Sequence, residues 1–239
     1  VFDLEGEEIK YKYDLPKGVE VDTTLFTLNG NFTFTDSFEY SSLAYHWYFS
    51  RTVKEPWYSL VVKHVYLRIN TRSETISGKS NPGFVGHRQQ HQTFSAEIAL
   101  EFNPKSENEK AGLVAFQNES HYYFIALSVE EDQKVIQLIK GTDNGEEIVA
   151  TEKLEKSEGK SINLKISSDV DTYSFHYSED GNNWKILKEG LDARYLSTKE
   201  AGGFVGVTLA MYTTSNGNPS ENKAYFDEFK YEGNDKMFE

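Results

Sequence analysis

Side chains able to hydrogen-bond a ligand are concentrated in the segment 81–102. From Phe94 onward this segment alternates apolar and polar residues, a pattern typical of a half-buried β-strand. Extending the same period of two backwards places Arg88, Gln90 and Gln92 on the apolar face. Buried arginine and glutamine side chains need hydrogen-bond partners. The spacing therefore predicts either a buried polar network or a surface that contacts a ligand, and the network is the favoured interpretation.

Two histidines flank these residues, and their spacing argues against a shared metal ion. His87 and His91 are four residues apart, which corresponds to roughly 13 Å along an extended strand. We predict that they are surface or interface histidines. His91 nevertheless joins Arg88 and Gln90 as a candidate for the polar network or for ligand contact.

Asp36 and Asp227 form a second set of candidate ligands. They lie in the first and the last predicted strands of the domain. If these strands pair, the two carboxylates and nearby carbonyl groups could hold a structural Ca²⁺, because this ion prefers oxygen ligands. The alternative is a pair of solvent-facing aspartates.

Catalytic motifs are absent. The sequence has no GxSxG, Walker A, HExxH, CxxC or dinucleotide-binding motif. Glycoside hydrolysis requires two carboxylates across a pocket, and the 38 acidic residues offer too many pairs to rank. We assign no catalytic residue. Aromatic residues could stack on sugars but are more typical of a sandwich core: Tyr122, Tyr123, Tyr173, Tyr177 and Trp184.

Charge and composition narrow the class of partners. The net charge of −13 disfavours binding to nucleic acid and to anionic membranes. No apolar run approaches the roughly twenty residues of a membrane helix. The chain has no cysteine, so its compartment stays open between bacterial cytoplasm, periplasm and exterior. Because it begins at Val1, we expect a piece or a processed product of a longer protein.

The elements that must position these residues are β-strands. Sixteen Phe, fifteen Tyr and three Trp favour strands, and short apolar runs are separated by turn residues. Hairpin turns are predicted at 143–145 and 179–183, and a helical turn or long loop at 191–203. We predict an all-β fold, a two-sheet antiparallel sandwich of about eleven to thirteen strands. The sandwich occupies 31–239, and 1–30 forms an extension or linker.

Several motifs resemble one family. The segment 81–123 (NPGFVGHRQQHQTFSAEIALEFNPKSENEKAGLVAFQNESHYY) closely resembles the carboxy-terminal β-sandwich of family 43 glycoside hydrolases of the β-xylosidase and α-L-arabinofuranosidase type. The resemblance extends over roughly 31–239, with WYSL at 57–60, SEDGNNW at 178–184, GGFVG at 202–206 and YFDEF at 225–229.

This resemblance implies a concanavalin-A-like jelly roll that follows a catalytic five-bladed β-propeller. The propeller is not in this chain and would be its partner, with 1–30 as the linker from it. In family members a sandwich loop reaches the rim of the substrate pocket. That loop corresponds to 195–203, with Tyr195 as a candidate and Glu200 where some relatives have Phe. Some relatives also hold Ca²⁺ in the sandwich, which supports Asp36 and Asp227 as ligands.

Two functions follow from these expectations. The first is a non-catalytic accessory module of a xylan- or arabinan-degrading glycoside hydrolase, which packs on the propeller and helps to shape its pocket. The alternative is a free-standing carbohydrate-binding module for xylo- or arabino-oligosaccharides of the plant cell wall. In both cases we expect this chain alone to lack catalytic activity.

Overall fold

The computed structural model describes residues 30–155 and 161–238, and almost all of their regular structure is β. The exceptions among the described residues are a 3₁₀ helix (Ala193–Leu196), a single-turn helix α1 (Thr198–Ala201) and a second 3₁₀ helix (Lys236–Phe238). The strands are β1 (Thr33–Asp36), β2 (Tyr48–Phe49), β3 (Tyr58–Ser59), β4 (Leu67–Asn70), β5 (Gly83–Arg88), β6 (Thr93–Glu101), β7 (Lys110–Asn118), β8 (His121–Glu130), β9 (Gln133–Thr142), β10 (Gly145–Lys153), β11 (Ile162–Asp169), β12 (Thr172–Ser178), β13 (Lys185–Asp192), β14 (Thr208–Thr214) and β15 (Lys223–Gly233).

The strands form two antiparallel sheets. The eight-stranded sheet has the order β13-β12-β11-β6-β15-β4-β3, and β1 also pairs with β15. The seven-stranded sheet has the order β10-β9-β8-β7-β14-β5-β2. The predicted all-β, two-sheet antiparallel sandwich is therefore confirmed. The predicted hairpin turns join β9 to β10 and β12 to β13, and the helical turn lies between β13 and β14.

The main core lies between the sheets and reflects the alternation seen in the sequence. In β6, Phe94, Ala96, Ile98 and Leu100 are all buried, and the residues between them are partly exposed. The partner strand β11 has the same alternating pattern. Burial of these large apolar side chains is the main stabilising contribution to such a fold.

A second apolar cluster lies within the seven-stranded sheet region. The central strands β7, β8 and β14 have long runs of buried residues instead of alternation. The backbone amide of Ile76, from the β4–β5 connection, donates to the hydroxyl of Tyr212 on β14 (3.1 Å). The connection therefore helps to cover this sheet. The members of the cluster are Ile76, Phe84, Val114, Tyr122, Phe124, Ala126, Ile139, Ala210 and Tyr212.

One predicted strand is shorter in the structure, and most of the predicted linker lies outside the described residues. The run 204–213 reads as one strand, but β14 begins only at Thr208, because Gly202 and Gly203 have positive φ values and 202–207 form a loop. Residues 1–29 of the predicted linker lie outside the described residues, so the linker and the domain boundary stay predictions. Within the described ranges, no helix is long and apolar enough to span a membrane.

Candidate functional site

The segment 81–102 is not one strand but two, in opposite sheets. β5 ends at Arg88 in the seven-stranded sheet and β6 begins at Thr93 in the eight-stranded sheet. Residues 89–92 form a crossover between the sheets. The prediction that Arg88, Gln90 and Gln92 continue the apolar face of one strand is therefore wrong, because all three side chains are exposed. The change of sheet breaks the period of two on which the extrapolation depends.

The same change of sheet buries the two histidines. His87 is only 3% exposed and His91 only 4%, so neither is a surface histidine. His87 stacks on Phe34, with ring centroids 5.2 Å apart. His87 lies near the end of β5, and His91 lies within the crossover, just before β6.

His91 lies in a buried hydrogen-bond network with Tyr231. Its Nδ1 atom is 2.9 Å from the Tyr231 hydroxyl, and its Nε2 atom is 2.9 Å from the carbonyl oxygen of Gly30. A carbonyl can only accept, so Nε2 carries the proton and Nδ1 accepts from the hydroxyl. The hydroxyl in turn accepts from the backbone amides of Gln90 (3.1 Å) and His91 (2.9 Å). Burial raises the pKa of Tyr231 to about 12, so the hydroxyl stays protonated as this arrangement requires.

Gln89, which the sequence interpretation passed over, completes this crossover network. Its Nε2 donates to the His91 carbonyl (2.8 Å), and its Oε1 accepts from the Tyr173 hydroxyl (2.7 Å). Tyr173 lies on β12, so the network links the crossover to the eight-stranded sheet. Arg88 and the side chain of Gln90 are not part of it. These contacts give the crossover a structural role, and ligand contact by Arg88, Gln90 or His91 stays a prediction.

Arg88 contacts the loop that precedes β14. Its Nη1 donates to the carbonyl of Gly206 (3.2 Å), and its guanidinium lies 4.9 Å from the centre of the Tyr48 ring. The hydroxyl of Tyr48 is in turn hydrogen-bonded to that of Thr208. Arg88 therefore connects the end of β5 with the start of β14.

The loop 202–207, which we call the GGFVG loop, is held through its backbone. The side chain of Gln117, which is 3% exposed, donates to the carbonyl of Val205 (2.7 Å). The backbone amide of Gln89 donates to the carbonyl of Val207 (3.0 Å). Asn118 holds the end of α1 in the same way, by donating to Ala201 (2.8 Å). Three polar groups and Arg88 thus fix carbonyls along 201–207.

Two side chains of the GGFVG loop are exposed, while Val207 packs against the main core. Phe204 is fully exposed, at 105% of its reference area, and Val205 is 49% exposed. Two other aromatic side chains of the described residues, Tyr40 (79%) and Tyr45 (109%), are comparably exposed, but neither lies in a loop fixed through its carbonyl groups in this way. The sequence interpretation placed Phe204 in a strand. The predicted loop ended at Gly203, and the signal for its continuation was the pair of glycines, since both adopt positive φ and turn the chain away from the strand path.

Tyr195 and Glu200, the predicted rim residues, differ in their environments. The Tyr195 hydroxyl donates to the Gly141 carbonyl (2.7 Å), and Lys140 Nζ lies 4.1 Å from the centre of its ring. Glu200 is exposed on α1. Both line an open cavity of about 450 Å³ with Tyr123, Lys140, Asp192, Arg194, Ser197 and Lys199. The structure brings the two residues to one cavity, and their place at a substrate pocket stays a prediction.

Asp36 and Asp227 lie in different environments, although β1 and β15 pair as expected. Asp36 Oδ1 accepts from the amide of Phe38 (2.8 Å), and Oδ2 accepts from Trp47 Nε1 (2.7 Å). Burial raises the pKa of Asp227, and the nearby Glu101 carboxylate raises it further. Within 30–155 and 161–238, no three His, Cys, Asp or Glu side chains are arranged to hold a metal ion. Two carboxylates are fewer than the six to eight oxygens that Ca²⁺ takes, so carbonyl groups or waters would have to supply the others, and Ca²⁺ binding stays a prediction.

The buried histidine of β5 makes the stability of the domain sensitive to pH. Burial, with a smaller contribution from His46, lowers the pKa of His87 from 6.5 to about 4. The unfolded chain therefore binds a proton that the folded chain rejects as the pH falls below 6.5. From about pH 7.5 to about pH 5 we expect His87 to cost about 2 kcal/mol of unfolding free energy. Urea denaturation across this range measures the loss.

Two variants test the assignment of this pH dependence. His87→Phe keeps a ring in the cluster, and its unfolding free energy should fall less steeply with pH than that of the parent chain. His64→Gln is the matched control, since His64 is exposed, and it should keep the parental slope. An unchanged slope in His87→Phe would refute the assignment.

Comparisons with known proteins find one matching family model and several similar enzymes. The family model described as the β-xylosidase C-terminal concanavalin A-like domain matches residues 35–232. The chain is 34% identical over 182 residues to a xylosidase/arabinosidase of Butyrivibrio fibrisolvens, covering 74% of this chain and 34% of that protein. It is 29% identical over 196 residues to a non-reducing end α-L-arabinofuranosidase of Bacteroides ovatus, covering 82% and 36%. The chain thus spans about a third of the length of these curated relatives.

Solved structures agree with this match. A Bacteroides ovatus xyloglucan-locus protein of glycoside hydrolase family 43 has a TM-score of 0.77 and 26% identity, covering 97% of this chain and 45% of that one. A xylan β-1,4-xylosidase of Bacillus halodurans has a TM-score of 0.77 at 24% identity, covering 83% and 38%, and shows the likeness of fold. In each case the similarity covers less than half of the larger protein.

Proposed function

The chain belongs to the family of β-xylosidase C-terminal concanavalin A-like domains, and we propose that it serves a family 43 glycoside hydrolase as a non-catalytic accessory sandwich. In this proposal it packs on the catalytic domain and contributes the GGFVG loop to the rim of the substrate pocket. The parent enzyme removes xylose or arabinose from plant cell-wall oligosaccharides. The catalytic carboxylates belong to the other domain.

The observation that carries the proposal is the contrast between backbone and side chains in the GGFVG loop. Donors from Gln89, Arg88 and the buried Gln117 fix its carbonyl groups, but Phe204 is fully exposed. A loop fixed in this way loses little conformational entropy when it contacts another surface. The exposed ring provides the apolar area that such a contact buries. The loop is therefore suited to contact a partner domain or its substrate.

Phe204→Ala in the full-length enzyme tests this proposal. We expect kcat/KM for aryl-xyloside or aryl-arabinoside substrates to fall by about tenfold, because the loop no longer closes the pocket rim. The melting temperature of the 239-residue chain should stay the same, because Phe204 makes no core contact. Steady-state kinetics and thermal denaturation provide the two measurements.

Two controls accompany this experiment. Ile186→Ala removes another exposed apolar side chain, on β13 outside the loop, and should leave kcat/KM unchanged. The 239-residue chain alone should release no product from either substrate. Unchanged kcat/KM in Phe204→Ala would refute the role of the loop, and genuine turnover by the isolated chain would refute the non-catalytic assignment.

The alternative, a free-standing carbohydrate-binding module, has less support. Four aromatic residues considered for sugar stacking are buried at 1–3% exposure: Tyr122, Tyr123, Tyr173 and Tyr177. Trp184 is partly exposed, but Lys165 Nζ lies 3.9 Å from the centre of its ring. These rings therefore do not form the open stacking surface that this function needs.

A further inference from the structure

A polar cleft in the β2–β5 region has a charge opposite to that of the whole chain. It has a volume of about 600 Å³, within the usual range for small-ligand sites. Its lining differs from that of the Tyr195 cavity and contains no aromatic side chain. Its charged lining residues are four cations and two carboxylates, which are Arg51, Lys54, Arg72 and Lys79 with Glu55 and Glu74.

Arg72 is a fixed part of this cleft. Its side chain is only 12% exposed, and its Nη2 is paired with Glu55 (2.8 Å) and Glu74 (2.9 Å). Its Nε donates to the carbonyl of Asn81 (3.0 Å). Asn81 in turn accepts from the indole of the buried Trp57 (2.7 Å). This part of the wall is therefore held in place by the core.

The remaining cations have unused hydrogen-bonding capacity. Arg51 pairs with Glu119 through Nη2 (2.6 Å), but its buried Nε has no hydrogen-bond partner among the described residues. Lys54 and Lys79 are exposed, and no hydrogen bond or ion pair joins either of them to residues 30–155 or 161–238. The lining has four cationic side chains and two carboxylates, Glu55 and Glu74, and Glu119 adds a third carboxylate through its ion pair with Arg51. One positive charge therefore remains uncompensated.

We propose that this cleft binds a uronic acid residue of a glycan, with Lys54 and Lys79 holding its carboxylate. A single uncompensated charge matches a monoanion, and ammonium groups make strong charge-assisted hydrogen bonds to carboxylates. The hydroxyls of Ser50, Thr52 and Ser80 can donate to and accept from ring hydroxyls. The choice of a saccharide rests on the proposed function, and the choice of an anion rests on the cleft itself.

The positive charge of the cleft contrasts with the net charge of −13 of the whole chain. A chain with this balance repels anions at long range, so anion binding depends on short-range contacts within the cleft. Screening at physiological salt limits the repulsion to about 8 Å. Neutral sugars lack the carboxylate, and without an aromatic ring in the lining they have no stacking surface here. The cleft therefore distinguishes acidic from neutral saccharides.

Calorimetric titration of the 239-residue chain tests the proposal. Glucuronate is the probe, its methyl ester is the neutral analogue, and acetate is the simple anion. We expect glucuronate to bind at least about tenfold more tightly than either of the others. The double variant Lys54→Gln/Lys79→Gln should lose about tenfold in affinity. Lys188→Gln/Lys223→Gln changes the total charge equally, at two exposed lysines outside the cleft, and should retain binding.

Each other outcome overturns the proposal. If the methyl ester bound as tightly as glucuronate, the cleft would not recognise the carboxylate. If acetate bound as tightly as glucuronate, the sugar ring would not contribute to binding. An equal loss of glucuronate affinity in both double variants would show that binding depends on the total charge of the chain and not on the cleft lysines. If glucuronate does not bind at all, the inference fails, but the accessory role is unaffected because it is tested by Phe204→Ala in the full-length enzyme.

Discussion

Gly112→Ala is expected to lower the unfolding free energy by about 4 kcal/mol, with a fall in melting temperature of roughly 10 °C. Gly112 lies on β7 between β14 and β8, opposite Tyr212 and Ala126. A Cβ atom at this position would fall on the carbonyl oxygen of Ile125 and come within 2.9 Å of the Cα of Ala126. Both are backbone atoms of a central strand, so the clash can be relieved only by moving β8.

Gly206→Ala is the matched control for this prediction. A Cβ atom at Gly206 would meet no other atom within 4 Å, so its melting temperature should stay within about 2 °C of the parent value. Thermal and urea denaturation of the three chains give the comparison. Equal stability of Gly112→Ala and the parent chain would show that β7 and β8 can separate enough to admit a methyl group.

Tyr231→Phe is expected to lower the unfolding free energy by about 3 kcal/mol. The substitution keeps the buried ring but removes the hydroxyl that accepts from the amides of Gln90 and His91 and donates to His91 Nδ1. Each buried group left without a partner costs about 1–3 kcal/mol. Urea denaturation measures the loss.

Arg88→Met distinguishes the crossover network from the exposed residues beside it. Arg88 is exposed, and among the described residues its side chain makes one hydrogen bond, to Gly206, so its replacement should change stability by less than about 1 kcal/mol. If Arg88→Met destabilised the chain more than Tyr231→Phe, the assignment of the network to His91, Gln89 and Tyr231 would be incorrect.

The fold was predictable because its strands have strong local patterns. β6 alternates from Phe94 to Leu100, and all its inward residues are buried. The turn around Gly145 likewise combines residues that favour a hairpin. These features depend on neighbours in sequence, so the pattern alone is sufficient to identify them.

The candidate sites were less predictable because they depend on contacts between distant segments. The crossover shifts the phase of the alternation, and no local signal shows that residues 89–92 leave one sheet for the other. Gln117 resembles an ordinary strand residue, but its amide reaches the carbonyl of Val205, 88 positions along the chain. Phe204 has the hydrophobicity of a core residue, and only the two preceding glycines indicate that the chain turns outward there.

The order of strands has a consequence for the timing of folding. β14 lies between β7 and β5, and β15 lies between β6 and the strands β4 and β1. An interior position in each sheet is therefore occupied by one of the last two described strands of this chain. Earlier strands such as β4 and β5 cannot complete their ladders until these strands are available, and non-local pairing of this kind slows folding. A growing chain of this topology would expose unpaired strand edges until β14 and β15 have been synthesised, and chaperone protection would matter most before that point.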